Sequence, residues 1–327
     1  MNYRILGKTG LRVSEIGFGC WAIGGPFDLS GLPIGWGPVD DNQSLAAIRR
    51  ALELGVNFFD TADIYGLGHS EKILGEALRG CRDDVVIASK VGNTRQADGA
   101  RLKDFSARHI LESCDDSLRR LATDHLDLYQ LHNPTLDQIF SGDAGEALEK
   151  LQQSGKIRSF GVSVSHPSEG LEIIRQNFGG ALQVLYNVLN QKPADGLFNA
   201  ARKGGYGIIA RVPLASALLT GKIKSSSFDP RDNRNNFLTA ARLSEALPKV
   251  DRYLELCRGY SLSPVQAALK FVLSHPAVAT AIPGAKFPAQ VEENIGASDM
   301  EMPAEMLESL RREFKSYNFY LRHGIKI

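Results

Sequence analysis

GKIRSFGVSVSHPSEGLEIIRQNFGGALQVLYNVLNQKPADGLFNAARKGGYGIIAR, residues 155–211, decides the fold. Three short apolar runs, 158–163, 182–186 and 207–211, alternate with two stretches of helical period, 167–176 and 194–203. A strand, a helix and another strand form a parallel unit, because a parallel crossover needs a return of helix length. The same alternation extends upstream. Strands are expected at 14–19, 56–60, 85–89 and 126–131, with helices at 42–54, 70–79, 106–121 and 143–153 between and after them. Gly55 ends the first of these helices in a C′ role. Downstream, helices at 244–259 and 263–273 lead to a last strand at 278–282, and helices at 288–296 and 303–316 follow.

Counted from residue 14, that makes eight strands, each parted from the next by a helix. Eight such units close a (β/α)8 TIM barrel, which places the chain in the α/β class. The rival, an open doubly wound sheet, calls for a Gly-rich phosphate turn after its first strand. Here Gly17-Phe18-Gly19-Cys20-Trp21 lacks the third glycine of that fingerprint, and no GxxxxGK[ST] occurs. Residues 3–13, with a turn at Gly7-Lys8-Thr9-Gly10, read as an N-terminal β-hairpin. Long loops are expected at 24–38 and 223–242.

At about 100–200 residues per domain, 327 residues could hold two domains. No linker interrupts the alternation, so one barrel domain over 1–327 is expected. The 38 basic and 37 acidic side chains leave a net charge of +1. That balance argues against a nucleic-acid partner, which demands a concentrated basic field. No apolar run spans a bilayer and no secretory leader is visible, so no membrane partner and a cytoplasmic location are expected. Cys20, Cys81, Cys114 and Cys257 are scattered without metal-like spacing and read as free thiols.

In a barrel of this type function sits at the carboxyl ends of the strands. Asp60 closes the second strand, Lys90 follows the third, His132 follows the fourth, and Tyr65 lies in the loop after Asp60. Each alone has a structural reading: a turn cap, a rim lysine, a core histidine, a packing aromatic. Their joint occurrence at three successive strand ends points to proton donation. A free tyrosine has a pKa of about 10, too high for a willing donor. A neighbouring ammonium such as Lys90 is expected to lower it, with Asp60 holding the ammonium and His132 orienting the substrate oxygen. No carboxylate–histidine set has the spacing of a metal site.

Several blocks together resemble the aldo-keto reductase superfamily, in its bacterial-type NADPH-dependent branch. They are GVNFFDTADIYG (55–66), GHSEKILGEAL (68–78), SKVG (89–92), LDLYQLHNP (126–134), GKIRSFGVS (155–163), PLASALLTGK (213–222) and AIPGAKFPAQVEENIGA (281–297). With the opening at 3–13 they run from about residue 3 to 297. The resemblance implies NADPH-dependent reduction of an aldehyde or ketone to an alcohol, with NADP(H) as the cofactor. It places the family's catalytic tetrad on Asp60, Tyr65, Lys90 and His132, with Tyr65 as general acid. It implies that the opening hairpin plugs the barrel bottom.

The resemblance also assigns cofactor contacts. Ser163 and Gln183 match residues that hold the carboxamide. Pro213, Leu214, Ser216, Gly221 and Lys222 match the segment along the pyrophosphate. Gly284, Ala285 and Lys286 match the loop at the adenosine 2′-phosphate, and Gln290, Glu293 and Asn294 match the helix that follows. A lysine just before a helix N-terminus also makes an anion site on physical grounds. Two positions depart from the family: Val164 stands where many members have asparagine, and Arg211 where many stack an aromatic on the nicotinamide. Tyr186 is then a possible neighbour of the cofactor. Trp21 is expected where substrate meets nicotinamide, with the two long loops and the tail at Phe319-Tyr320-Leu321 as further walls. A small-molecule aldehyde or ketone is the expected partner, and a monomer or weak homo-oligomer the expected state. Two readings compete: an NADPH-binding redox-sensing or regulatory subunit with weak turnover, and a barrel lyase or isomerase using Lys90 as a Schiff-base amine.

Overall fold

The computed structural model describes residues 1–325; residues 326 and 327, the end of the domain expected over 1–327, lie outside the described residues. Strands β1 (Tyr3–Ile5) and β2 (Arg12–Ser14) form the antiparallel N-terminal hairpin. Next come β3 (Phe18–Gly19), the antiparallel hairpin of β4 (Phe27–Leu29) and β5 (Leu32–Ile34), α1 (Asp41–Glu53), β6 (Phe58–Asp60) and α2 (His69–Ala77). After β7 (Val86–Val91), a second antiparallel excursion, β8 (Asn93–Arg95) and β9 (Arg101–Lys103), precedes α3 (Ala107–Leu121). The alternation resumes with β10 (Leu126–His132), α4 (Leu136–Phe140), α5 (Ala144–Gln153), β11 (Ile157–Ser163) and α6 (Pro167–Arg175). It continues through β12 (Ala181–Leu185), α7 (Leu197–Lys203) and β13 (Gly207–Arg211). The chain then runs through α8 (Arg234–Phe237), α9 (Ala240–Arg258), α10 (Pro264–Leu273), β14 (Val278–Ala281), α11 (Pro288–Gly296), α12 (Ala304–Phe314) and α13 (Phe319–Arg322).

Eight strands pair in parallel in the order β3-β6-β7-β10-β11-β12-β13-β14. Parallel bridges Ile16↔Ala281 and Gly19↔Gly284 join the two ends and close the barrel. Side chains on a strand alternate between faces, so every second residue points inward. Phe58, Val86, Ala88, Leu128, Ala181 and Ile209 fill the lower interior, and Leu6 and Val13 of the hairpin close it from below. Two residues further along the same strands the inward row turns polar: Asp60, Lys90, Gln130, Gln183 and Arg211, all buried. The fold therefore stacks its polar groups on an apolar floor at the carboxyl ends of the strands.

Three local expectations are corrected. Segment 24–38 is not a plain loop but carries β4 and β5, and residues 93–103 form a hairpin that the sequence reading missed. Loop 223–242 is shorter than expected: α8 lies inside it, and α9 starts at Ala240 rather than 244. The Thr239 side chain accepts a hydrogen bond from Arg242 N and so caps α9, satisfying one of the N–H groups that a helix start leaves free. Pro248 is accommodated inside that helix.

Candidate active site

The second barrel strand ends at Asp60, and its chain continues over β7 in register: Thr61 N donates to Ala88 O and Asp63 N to Lys90 O. A sharp turn follows Tyr65. Gly66 takes φ +59°, and a Cβ there would lie 1.8 Å from Gly24 O, so only glycine fits. This turn lays the Tyr65 ring edge-on against Trp21 at 4.7 Å and near His132 at 5.9 Å between ring centroids.

Lys90 is fully buried beneath that ring. Its ammonium has three N–H groups, and three acceptors receive them: Asp60 Oδ2 at 2.6 Å, Thr61 O at 2.8 Å and Tyr65 Oη at 3.1 Å. Tyr65 Oη is thus an acceptor towards Lys90, and its own proton is directed elsewhere. The other Asp60 oxygen, Oδ1, accepts from Gln183 Nε2 at 2.7 Å and Gln130 Nε2 at 3.2 Å. A buried ion pair holds only when its remaining valences are hydrogen-bonded, and here they are.

The protonation states follow from burial and charge. Burial pulls the Lys90 ammonium down, but Asp60 and Tyr65 outweigh it and leave the pKa above its ordinary value. For Tyr65 the expectation of a lowered pKa is overturned. Burial raises the phenol more than Lys90 lowers it, and Asp60 adds to the rise. Tyr65 therefore holds its proton firmly in the free site. His132 is pushed well below 6.5 by burial and then by Lys90, Arg211, Arg101 and Lys103, so its imidazole is neutral. Its Nδ1 has no partner among the described residues.

A cleft of about 930 Å³ opens above these groups. Asp60, Tyr65 and His132 reach its wall, whereas Lys90 lies below it. Trp21, Ser163, Gln183, Arg211, Pro213, Leu214, Ser216, Lys222, Gly284, Lys286, Gln290, Glu293 and Asn294 all line the same cleft. Gly221 does not; at φ +72° it serves the turn instead. Arg211 is 8% exposed and donates from Nη2 to Val164 O at 3.2 Å, while its Nε and Nη1 have no partner. Burial lowers its pKa to about 10. Tyr186 is no neighbour of the cleft; it packs against Phe198 and Phe271. The tail contributes His323, Gly324 and Ile325 to the wall rather than 319–321, and the Tyr320 hydroxyl donates to Ser216 Oγ at 3.0 Å.

The residues at the far end suit a dinucleotide. After β13, Val212, Ala215, Ser216 and Ala217 all take positive φ, a costly run for non-glycine residues. Lys286 stands before α11 and donates to Trp36 O and Pro38 O, which ties loop 24–38 to that corner. The Gln290 side chain accepts from Lys286 N at 2.8 Å. The two unpartnered guanidinium nitrogens of Arg211 are buried, and the residue lines the same cleft.

Four polar residues of the site escaped the sequence reading: Asn93, Arg101, Gln130 and Asn133. Gln130 could have been found, because it lies two residues before His132 and so on the same inward face. Asn93 Nδ2 donates to His132 O at 3.0 Å, and Asn133 Oδ1 accepts from Ser163 Oγ at 2.9 Å. Among the described residues no three His, Cys, Asp or Glu side chains could hold a metal ion, and no helix is long and apolar enough to cross a membrane.

Comparison with known proteins agrees with this geometry. The family model described as "Aldo/keto reductase family" matches residues 15–312. An uncharacterised oxidoreductase of Bacillus subtilis is 31% identical over 99% of this chain and 99% of its own length. An NADH-specific methylglyoxal reductase of Escherichia coli is 28% identical over 94% of this chain and 98% of its own. The holo form of an aldo-keto reductase from Bacillus halodurans superposes with a TM-score of 0.79 at 30% identity, covering 95% of this chain and 96% of that one.

Proposed function

The chain belongs to the aldo/keto reductase family, and from that premise we propose that it is an NADPH-dependent reductase of aldehydes or ketones with Tyr65 as proton donor. The observation that carries this reading is the Lys90 ammonium, bonded at once to Asp60, Thr61 O and Tyr65 Oη, which leaves the phenolic proton to the cleft. A reduced nicotinamide, when bound, supplies the hydride; the protein's share is position and a proton.

Each side chain has a distinct part. The neutral His132 imidazole offers one N–H to a carbonyl oxygen without competing as an acid. Tyr65 keeps its proton until charge develops on that oxygen. As the proton leaves, the phenolate forms 3.1 Å from an ammonium already aimed at it, so no reorganisation is needed. Asp60 keeps the ammonium charged, and Gln130 and Gln183 fix Asp60. A general acid of this kind contributes about 10²–10⁴ in rate.

For the cofactor, Ser163 and Gln183 would hold the carboxamide, the strained segment 213–217 with Lys222 the pyrophosphate, and Lys286 with Gln290 the 2′-phosphate. The positive end of α11 adds to Lys286 there. The test is oxidation of NADPH and of NADH against a panel of aldehydes, ketones and sugars, with Lys286→Met beside the wild type. Turnover with NADPH, and a tenfold or greater loss of NADPH preference in Lys286→Met, is the expected outcome. Equal use of NADH by the wild type would overturn the cofactor assignment, and no turnover on any carbonyl would overturn the reductase.

A further inference from the structure

Besides Arg211 at the end of β13, the lysines and arginines of the cleft fall into two sets. Lys222, Lys224, Arg234, Arg242 and Lys286 belong to the end built by the β13 loop and α11. Arg101 stands apart, on β9, beside Asn93 and His132. Its Nε and Nη2 donate to Asn93 Oδ1 at 3.2 and 2.6 Å, and Asn93 in turn donates to His132 O at 3.0 Å. The guanidinium is therefore oriented by the strand end that carries the imidazole. Those bonds fix its direction and leave its charge uncompensated. No carboxylate among the described residues pairs with it; the residue as a whole is exposed, and burial of part of its side chain lowers its pKa.

The surroundings of Arg101 are built rather than loose. Arg101 N donates to Ser30 Oγ at 2.9 Å, and Ser30 N donates to Gly99 O at 2.8 Å, which joins the β8–β9 hairpin to the β4–β5 hairpin. The latter contributes Phe27, Leu29 and Leu32 to the cleft wall, and Phe27 and Trp21 pack against the cluster of Ile64 and Tyr65. A carbonyl compound at Tyr65 and His132 would have an apolar wall on one side and a fixed, unpaired guanidinium at its edge. A planar guanidinium held on one edge offers the other in the geometry that a carboxylate matches.

We infer that the substrate is a carbonyl compound carrying a carboxylate, whose acid group binds Arg101 while an apolar spacer lies against Trp21, Phe27 and Leu29. This rests on the reductase reading above. A charged hydrogen-bonded pair of this kind is worth about ten- to a hundredfold in kcat/KM. The experiment compares succinate and glutarate semialdehydes with their methyl esters, using wild type, Arg101→Met and Arg101→Lys. The acid-to-ester ratio of kcat/KM is expected to be about ten or more in wild type for at least one pair. It should fall to near one in Arg101→Met and be kept in part by Arg101→Lys. A ratio near one in wild type for both pairs, or a ratio that survives Arg101→Met, overturns the inference. Calorimetric titration with glutarate in the presence of NADP⁺ separates the two levels. If no carbonyl is reduced, the reductase reading fails, and glutarate binding that Arg101→Met weakens at least about tenfold still supports the acid site. No glutarate binding by wild type then overturns the site as well.

Discussion

Replacing Asp60 by asparagine removes one charge and keeps the shape. In the wild type, Asp60 Oδ2 faces Lys90 at 2.6 Å and Oδ1 faces the amides of Gln183 and Gln130. The variant can present its oxygen to Lys90 and its amide to the two glutamines, which can turn their own oxygens towards it. Hydrogen bonding is then largely restored, and the missing quantity is charge. Lys90, fully buried, loses the group that outweighs its burial, so its folded pKa falls below that of the unfolded chain. The cost at pH 7 has a ceiling, because the amine can shed its proton. That costs about 1.4 kcal/mol for each unit between pH 7 and an unfolded pKa of about 10.4, or roughly 4–5 kcal/mol. The figure agrees with the 3–5 kcal/mol typical of removing one partner of a buried pair.

The sign with pH identifies the cause. In Asp60→Asn, between the lowered folded pKa and the unfolded one, the unfolded chain binds a proton that the native state lacks. Stability therefore rises with pH in the variant, by about 1.4 kcal/mol per unit. In the wild type the folded pKa of Lys90 is raised, so its contribution is fully present below the unfolded pKa and is lost only as pH climbs through the folded one. The gap between the two proteins should narrow steadily as pH rises from neutrality towards about 10. Urea denaturation of both proteins at three pH values in that range, followed by tryptophan fluorescence, measures the gap. A gap that stays constant or widens would show that Lys90 keeps its proton without Asp60, and the reasoning about the pair would be wrong.

Tyr65→Phe should lose about 10²–10⁴ in kcat and about 1–3 kcal/mol of stability, because the buried Lys90 ammonium keeps Asp60 and Thr61 O but loses its third acceptor. Turnover equal to wild type on every carbonyl would remove Tyr65 from its role. With His132 neutral, the pH profile of kcat/KM should show no histidine inflection between about pH 5 and 8. His132→Gln, which keeps an N–H donor, should exceed His132→Leu in kcat/KM by about tenfold, and equal losses would rule out donation to substrate. Arg211 is buried with two free nitrogens in the cleft wall, and oxidised nicotinamide is cationic. Even at ~10 Å and an effective dielectric near 20, two unit charges repel by about 1.7 kcal/mol. Arg211→Tyr is therefore expected to tighten NADP⁺ relative to NADPH by roughly tenfold, read by fluorescence titration of both forms; an unchanged ratio would show that Arg211 does not sense that charge.

What was legible in the sequence is what depends on period and on position along one strand. The eight strands declare themselves by length and spacing, and the inward row follows from alternation. Asp60, Lys90 and His132 could therefore be placed at one barrel mouth before any coordinates. The hairpins β4–β5 and β8–β9 are not legible there, because their strands of three residues set no period and, unlike β3 and β6, do not fall in the strand–helix alternation that marks the barrel. The place of Arg101 depends on Ser30, 71 residues away, and on an asparagine that neither charge nor periodicity singles out. Helix α9 was placed late because its cap, Thr239, lacks the Glu or Gln at N3 that completes a recognisable capping box.

The Tyr65 pKa shows where sequence reasoning and structure part in kind. A sequence says which charges can meet, and Lys90 does meet Tyr65. It does not say how dry the meeting place is. Trp21 on one side, His132 on another and the Gly66 turn behind remove the phenol from water, and that loss exceeds what the ammonium returns. The raised pKa makes the free phenol a weaker acid than expected, so donation has to draw on the compensation that Lys90 offers the forming phenolate. A tyrosine already lowered towards neutrality would be partly deprotonated in the free enzyme and would have no proton to give. On the proposed reading, one held high by burial, with an ammonium in place at 3.1 Å, would stay protonated until a carbonyl oxygen gains charge, and would release its proton where the phenolate is already compensated.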